Sequence, residues 1–518
     1  MKFFNIGGPC NPDDHYMLPA TQRLEPFNVP RLIQQKSYFI VHAPRQTGKT
    51  TAMLSLAREL TASGDYVSAL LSMEVGVPFE DDPRQAELAI LSDWKYALRY
   101  QLPTELFPDA WEPDLQAGSL IGSFLAEWSA TAPRPVVVFL DEIDALQDDA
   151  LISVLRQLRS GYYRRPQGFP SSLALIGLRD VRDYKVKSGG SDRLNTPSPF
   201  NIAVRSVTLR NFTATEVADL LLQHTAESGQ LFPPETIELI FHLTQGQPWL
   251  VNALAKLCVE ELEEDLNKPV LPGHVLAAKE MLILRRQTHL GSLAEKLYEP
   301  QVRHVIEPLL AGRTLDDIPL DDIEYLIDLG LVRQRNGSGV LIANPIYKEI
   351  IPRMLASVPQ ASLPAIQPLW LNADGSLNPA KLLDSFLTFW RQHGQPLLRS
   401  APYHEIAPHL VLMAFLHRVV NGEGTIDREY AIGSRRMDLC VTYGVVRMAM
   451  ELKTWCDGHK DPLAEGLAQL DSYLNGLELE TGWLVIFDQR SGLPEISERT
   501  TAESTTTPAG RTITLIRA

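Results

Sequence analysis

Residues 39–51 read FIVHAPRQTGKTT, a β-branched apolar run that breaks into a loop and then a Gly-Lys-Thr helix start. Binding a polyphosphate asks for that order: a strand that stops abruptly, a tight loop whose backbone N–H groups wrap the oxygens, and a helix N-terminus aimed at the charge. Ala43, Pro44, Arg45, Gln46, Thr47 and Gly48 make the loop, and Lys49, Thr50 and Thr51 open the helix. Gly48 lets the backbone approach closely, the Lys49 ammonium reaches the β and γ oxygens of a triphosphate such as ATP, and the Thr50 hydroxyl is placed to ligate Mg2+. The pattern GxxxxGK[ST] is met with one departure. Ala43 stands where the first glycine is expected, and a methyl there is a small steric change that removes no ligand.

A second group lies near the far end of the chain. Residues 436–441 read RMDLCV, Tyr443-Gly444 turns the chain, and residues 446–453 read VRMAMELK. Side chains alternate along a strand, so Glu451 and Lys453 share one face while Met448, Met450 and Leu452 point to the core, with Asp438 opposite on an antiparallel partner. Two carboxylates and an amine at one sheet suit hydrolysis of a phosphodiester. The acids hold a hard cation such as Mg2+ with waters left on it, and the lysine positions or deprotonates the attacking water. The same three residues also suit a solvated sheet with ion pairs. A helix is expected at 403–420, with Glu405 near its start, and another at 463–474, which puts Gln469 and Tyr473 four apart on one face. His404 and His417 read as structural histidines.

Placing the first group requires a sheet. Strands are expected at 66–73, 135–140, 173–178 and 204–209 besides the one entering the loop. The strand at 135–140 runs into Asp141-Glu142-Ile143-Asp144, a Walker B element. Asp141 is suited to hold Mg2+ through water and Glu142 to polarise an attacking water. In an additional-strand NTPase the strand at 173–178 sits between the Walker A and Walker B strands, and it delivers Arg179 and Arg182 as candidates for sensing phosphate or reaching a neighbouring subunit. Strands alternating with helices imply a mostly parallel sheet covered on both faces, an α/β fold.

Beyond residue 215 the period becomes helical, interrupted by Gly246-Gln247-Pro248-Trp249, a turn that starts a new helix with proline near its first position. Helices at 302–310 and 320–329 followed by a ribbon, 332–335 and 340–343, read as a winged helix. Its second helix carries Asp321, Asp322, Glu324 and Asp328, which would repel DNA phosphates and favour packing or regulation over base reading. Pro-, Ser- and Ala-rich residues 357–379 read as a linker. The expected organisation is a P-loop core at 1–214, a helical lid at 215–295, a winged-helix segment at 296–356, a linker at 357–380 and a C-terminal domain at 381–518.

A chain of 518 residues exceeds one hydrophobic core and calls for several domains. A net charge of -15 argues against coating nucleic acid with the whole surface, though not against a local groove. No long apolar run suggests a membrane span, and MKFFNIGGPCNPDDHY lacks a sustained apolar core, so no secretory signal is expected there. Cys10, Cys258, Cys440 and Cys456 lack metal-ligand spacing and read as reduced thiols of a cytoplasmic protein.

The Asp438, Glu451-x-Lys453 arrangement resembles the PD-(D/E)XK nuclease superfamily, and Gln469-x-x-x-Tyr473 resembles the pair that lies beside the metal in its RecB-like members. Over nearly its whole length the chain resembles bacterial AAA-like ATPases with a C-terminal PD-(D/E)XK nuclease domain. The likeness is carried by HAPRQTGKTT, VVVFLDEID, GLRDVRDYK, TQGQPWLVNAL, and REYAIGSRRMDL followed by ELKTW. It implies a restriction-endonuclease-like C-terminal fold, ATP and Mg2+ as cofactors, DNA rather than RNA as partner, and a nucleotide-driven switch coupled to an endonuclease of mobile-element or defence biology. In such ATPases a Gly-x-Pro turn lies near the nucleotide, so the turn here reads either as a reporter of nucleotide state or as a plain helix junction, and the arginines of 162–165 and 179–182 permit, without demanding, a homo-oligomer in which one subunit completes its neighbour's site. The competing readings are an ATP-gated scaffold that grips without cutting, an RNA nuclease, and an accessory ATPase acting on a partner recombinase.

Overall fold

The structure, a computed structural model, describes residues 1–79, 82–108, 118–146, 148–179, 202–285, 291, 293, 295–310, 315, 318–334, 339–362, 369–400, 406–420, 424–432 and 435–518. The chain divides into two compact units, Met1–His289 with Ile323–Pro345, and Leu290–Asp322 with Ile346–Ala518.

In the first unit β1 (Tyr38–His42), β2 (Val67–Ser72), β3 (Val136–Asp141), β4 (Ser172–Gly177) and β5 (Ala203–Thr208) form one sheet in the order β2-β3-β4-β1-β5. Every neighbouring pair is parallel. Alternation splits each apolar run between two cores. Phe39, Val41, Val137, Phe139, Ala174 and Ile176 pack on Ile33 of α1 (Val29–Gln34) and Met53 and Leu56 of α2 (Lys49–Ala62). Tyr38, Ile40, Val136, Val138, Leu173 and Leu175 pack on Trp94 of α3 (Pro83–Gln101), Phe124 and Trp128 of α4 (Leu120–Thr131) and Leu155 of α5 (Asp148–Gly161). Each large side chain so buried contributes about 1.5–3 kcal/mol, which is why strands without polar alternation are stable only inside such a sandwich. As expected from sequence, β4 lies between the strand feeding the loop and the strand ending in Asp141.

Helices α6 (Ala214–Ser228), α7 (Pro234–Thr244), α8 (Pro248–Leu257) and α9 (Pro272–Arg285) follow. Thr213 and Glu216 close a reciprocal capping box on α6. The turn before α8 needs its glycine: Gly246 has φ +71°, and a Cβ there would lie 1.9 Å from the Phe212 carbonyl oxygen. The Gln247 side chain accepts from Leu250 N at 2.6 Å to cap α8.

Helices α10 (Pro300–Leu310) and α11 (Leu320–Asp328) and the hairpin β6 (Val332–Gln334) and β7 (Val340–Ile342) match the elements read as a winged helix, and the division between the units falls within them. Residues 336–338 of the ribbon turn lie outside the described residues, as do Asp180, Arg182, His404 and Glu405. The stretch read as linker holds the end of α12 (Pro345–Ser362) and the start of α13 (Pro379–Ser400). Both helices begin on a proline, whose missing N–H costs nothing there.

The second unit's sheet runs β12 (Thr501–Thr506), β13 (Thr512–Arg517), β11 (Gly482–Asp488), β10 (Val446–Trp455), β9 (Arg435–Tyr443), β8 (Gly424–Ile432). Strands β10, β11 and β13 are mutually parallel where they pair. The β8, β9, β10 ladder and the β12, β13 pair are antiparallel. On one face Leu470, Tyr473 and Leu474 of α15 (Leu463–Leu477) cover Ala449, Leu484, Ile486 and Leu515. Aromatic rings gather elsewhere in the unit, with Trp390 of α13 5.1 Å from Phe487 and Phe386 5.5 Å from Phe415 of α14 (Ala407–Val420). Cys10, Cys258, Cys440 and Cys456 are all free thiols. Among the described residues no helix is long and apolar enough to cross a membrane.

Candidate functional site

Strand β1 delivers the loop to the edge of the first sheet, and Gly48, at φ +84°, turns it into α2. A Cβ on Gly48 would come 2.9 Å from the Arg23 guanidinium, a buried cation that the sequence reading did not single out. Arg23 donates to the Arg210 carbonyl at 2.9 Å and lies 5.0 Å from the centre of the Phe212 ring. Burial depresses its pKa to about 10. The Ala43 methyl is fully buried among Phe39, Val41 and Met53, so it fills core beneath the loop. Thr47 Oγ1 donates to the Pro44 carbonyl at 2.8 Å, and Thr51 Oγ1 accepts from Cys10 N at 3.1 Å.

Lys49 Nζ reaches back across the loop to the carbonyls of Ala43 at 2.8 Å and Pro44 at 3.1 Å. Burial lowers its pKa, while Asp141, Glu142 and Asp144 act in the opposite sense. Thr50 Oγ1 donates to Asp141 Oδ2 at 2.7 Å, joining the start of α2 to the end of β3. Asp141 is buried, which raises its carboxyl pKa despite the bonds from Thr50 and from Glu142 N. Glu142 turns outward on a left-handed backbone, φ 54°. The two adjacent acids therefore face different surroundings. Asp144 accepts from Leu178 N at 3.0 Å and tethers the end of β4, its other oxygen buried without a hydrogen-bond partner.

Arg179 follows directly. Its Nε stands 3.3 Å from Asp328 Oδ2, and its guanidinium 5.0 Å from the centre of the Tyr325 ring. Arg165, grouped from sequence with residues that reach a neighbour, is engaged in its own chain over the Tyr162 ring at 3.6 Å and donates to the Tyr162 carbonyl at 2.8 Å.

The second constellation assembles on β10. Lys453 Nζ lies 2.9 Å from Glu451 Oε1 and 3.7 Å from Glu465 Oε1, and it donates to Gln469 Oε1. Asp438 Oδ2 accepts from Leu452 N at 2.8 Å across the β9–β10 ladder. Sequence alternation placed only Met448, Met450 and Leu452 toward a core, yet Glu451 is itself 3% exposed, because α15 covers the other face. Burial first, and the neighbouring Asp438 second, push the Glu451 carboxyl up to about 8. Burial works against the Lys453 ammonium, but Glu451, Asp438 and Glu465 outweigh it and hold that group above its ordinary range. Tyr473, one turn beyond Gln469, belongs to the core with Leu470 and Leu474. Past Lys453 on the same strand, the Trp455 ring lies 3.5 Å from the Arg490 guanidinium and 5.7 Å from that of Arg517.

A divalent cation fits this donor set in one specific respect. Glu451 Oε2 is buried with no hydrogen-bond partner, beside a second carboxylate. Such an oxygen is costly unless something positive meets it. Among the described residues no group of three or more His, Cys, Asp or Glu side chains is arranged to hold a metal, so a cation here would take two carboxylates and keep waters.

The parallel sheet of order 2-3-4-1-5, the loop entering α2 and the acid ending β3 define an ATPase-like, P-loop α/β fold for the first unit. Among solved structures the chain is similar to a Walker-type ATPase of Pyrococcus abyssi, at 14% identity over 67% of this chain and 99% of that one with TM-score 0.46. It is similar to the RuvB Holliday junction branch migration motor of Thermotoga maritima, at 14% identity over 66% and 97% with TM-score 0.35. It is also similar to Cdc6p of Pyrobaculum aerophilum, at 13% identity over 64% and 92% with TM-score 0.34. No protein-family model matches the chain, and no curated protein does.

Proposed function

We propose that this chain binds and hydrolyses ATP and thereby controls a Mg2+-dependent DNA endonuclease of the PD-(D/E)XK type carried by its C-terminal domain. The observation that carries the nuclease half is the convergence of Glu451, Lys453 and Gln469 with Asp438 beside them, and the orphaned buried oxygen of Glu451. A solvated sheet with surface ion pairs would not bury that carboxylate.

Asp438 and Glu451 are the oxygens that would hold the cation. Mg2+, when bound, supplies a positive centre that acidifies its water and offsets charge building on the phosphate. Lys453 stays protonated, since its neighbours hold its pKa up. It therefore acts as a cationic donor that orients the attacking water and the phosphate oxygen. Gln469 fixes the direction of that ammonium. Water oxygen bonds to phosphorus as the bond to the leaving sugar oxygen breaks, and the proton lost by the water is returned to that oxygen through solvent.

At the other site the loop N–H groups of residues 43–51 and Lys49 would hold the β and γ phosphates, with Arg179 reaching the γ group. Thr50 and Asp141, already in contact, would hold Mg2+, and outward-facing Glu142 would orient the water. The helical segment 215–295 serves as lid and 296–356 as a winged helix in this reading.

The test is a cleavage assay on single-stranded DNA, double-stranded DNA and RNA with Mg2+, with and without ATP, crossed with Lys49→Ala and Glu451→Ala. DNA cutting lost in Glu451→Ala and altered in Lys49→Ala is expected. Binding without cutting, with Glu451→Ala unchanged from the parent protein, removes the nuclease in favour of a scaffold.

A further inference from the structure

We propose that Asp328 is a latch on the phosphate loop that competes with the γ-phosphate of ATP for Arg179. The inference rests on the nucleotide-binding reading above and adds the regulation of that site. All of its residues lie in the first unit.

The nucleotide reading gives Arg179 the γ-phosphate, and Arg179 lies two residues past the end of β4, whose last residue Gly177 accepts from Ala43 N at 3.4 Å. Its charge is already taken. Asp328 Oδ2 lies 3.3 Å from Arg179 Nε, and the two side chains are 26% and 15% exposed, so water screens the pair only in part. The other Asp328 oxygen lies 3.7 Å from Nδ1 of His42, the residue that ends β1 and leads into the loop. That ring is held from its other nitrogen by Thr208 Oγ1 at 3.0 Å. Two residues later Gly330, at φ +74°, lies so close to the loop that a Cβ would meet Pro44 at 2.7 Å. One short segment thus touches the end of β1, the loop and Arg179 together.

A guanidinium prefers the paired oxygens of a phosphate, and it cannot serve that group and Asp328 in one position. ADP lacks the group that would reach Arg179. Release of Asp328 therefore follows the triphosphate and not the diphosphate, which is the differential affinity a nucleotide needs to move an equilibrium.

The experiment titrates the full chain with a non-hydrolysable ATP analogue and with ADP, each with Mg2+. Asp328→Asn is expected to tighten the analogue about tenfold while ADP stays within about twofold, and Asp328→Glu to behave as the parent. Arg179→Gln should weaken the analogue, and adding Asp328→Asn to it should bring no further gain. Equal shifts for both nucleotides, no shift, or full additivity with Arg179→Gln overturns the latch. If the parent binds neither nucleotide any better than Lys49→Ala does, the nucleotide reading falls and the latch with it. Binding that Lys49→Ala abolishes but Asp328→Asn leaves unmoved removes the latch alone.

Discussion

Replacing Glu451 with glutamine should stabilise the second unit and, under the nuclease reading proposed above, abolish cleavage. The folded carboxyl has its pKa raised from 4.5 to about 8, chiefly by burial. A group that binds its proton more tightly when folded gives stability that is complete below its unfolded pKa and is lost as pH rises through the folded one. At about 1.36 kcal/mol for each tenfold change in proton affinity, the loss is about 3 kcal/mol by neutral pH and on the order of 5 kcal/mol once the group is fully ionised. Glutamine cannot ionise, but its amide must find partners beside Lys453, at a cost of about 1 kcal/mol. The net gain of roughly 1–3 kcal/mol near neutrality corresponds to a few degrees or more in the melting temperature of a domain this size. Thermal unfolding followed at about pH 6 and about pH 9, with and without Mg2+, reads it. The parent should lose stability between those conditions and recover it with Mg2+, and Glu451→Gln should do neither. A parent protein whose melting is flat with pH, or a variant less stable throughout, would refute the claim that burial penalises the charge of this acid more than Lys453 offsets it.

Lys49→Ala should weaken Mg2+-ATP by more than about tenfold in a binding titration, because the charge-assisted contact to the phosphates is lost, while leaving the melting temperature near that of the parent. Gly246→Ala and Gly229→Ala remove glycines of similar φ, +71° and +82°, yet only the first would meet a neighbour, the Phe212 carbonyl. Denaturant unfolding should therefore show a cost of about 1 kcal/mol at Gly229 and at least about 2 kcal/mol more at Gly246. Burial raises the Asp141 pKa, so the carboxyl holds its proton above its ordinary range and must release it to bind a cation. Mg2+-nucleotide affinity should then rise with pH on the acid side and binding should release protons, seen as a buffer-dependent heat in calorimetry, and Asp141→Asn should abolish that dependence.

Much of the first unit was legible because its information is local. An apolar run buried on both faces, a Gly-Lys-Thr helix start and an acid pair ending a strand each fit within about a dozen residues, while the place of β4 between β3 and β1 was expected only from the pattern of additional-strand NTPases. Thr50 and Asp141, both singled out from sequence, meet at 2.7 Å, whereas Lys49 reaches back to the loop carbonyl of Ala43. What stayed hidden depends on distant chain or on coverage. Arg179 was singled out, but its partner Asp328 lies 149 residues away and read only as one acid of a repelling helix. Arg23 sits on a stretch with no helical period, and only the folded loop shows it beside Gly48. Alternation along β10 correctly paired Glu451 with Lys453, yet it could not reveal that α15 buries the acid. Strand β12 escaped notice because TAESTT is a solvated edge without an apolar face, whereas β13, TITLIR, escaped it although its buried Ile513, Leu515 and Ile516 were a usable signal.

The insertion of Ile323–Pro345 into the first unit, from chain that belongs to the second on either side, bears on how the halves can be separated. A fragment ending before residue 290 would strip the cover from Pro44 and free Arg179. Under the latch proposed above, such a fragment would bind a non-hydrolysable ATP analogue more tightly than the full chain while ADP binding stayed similar.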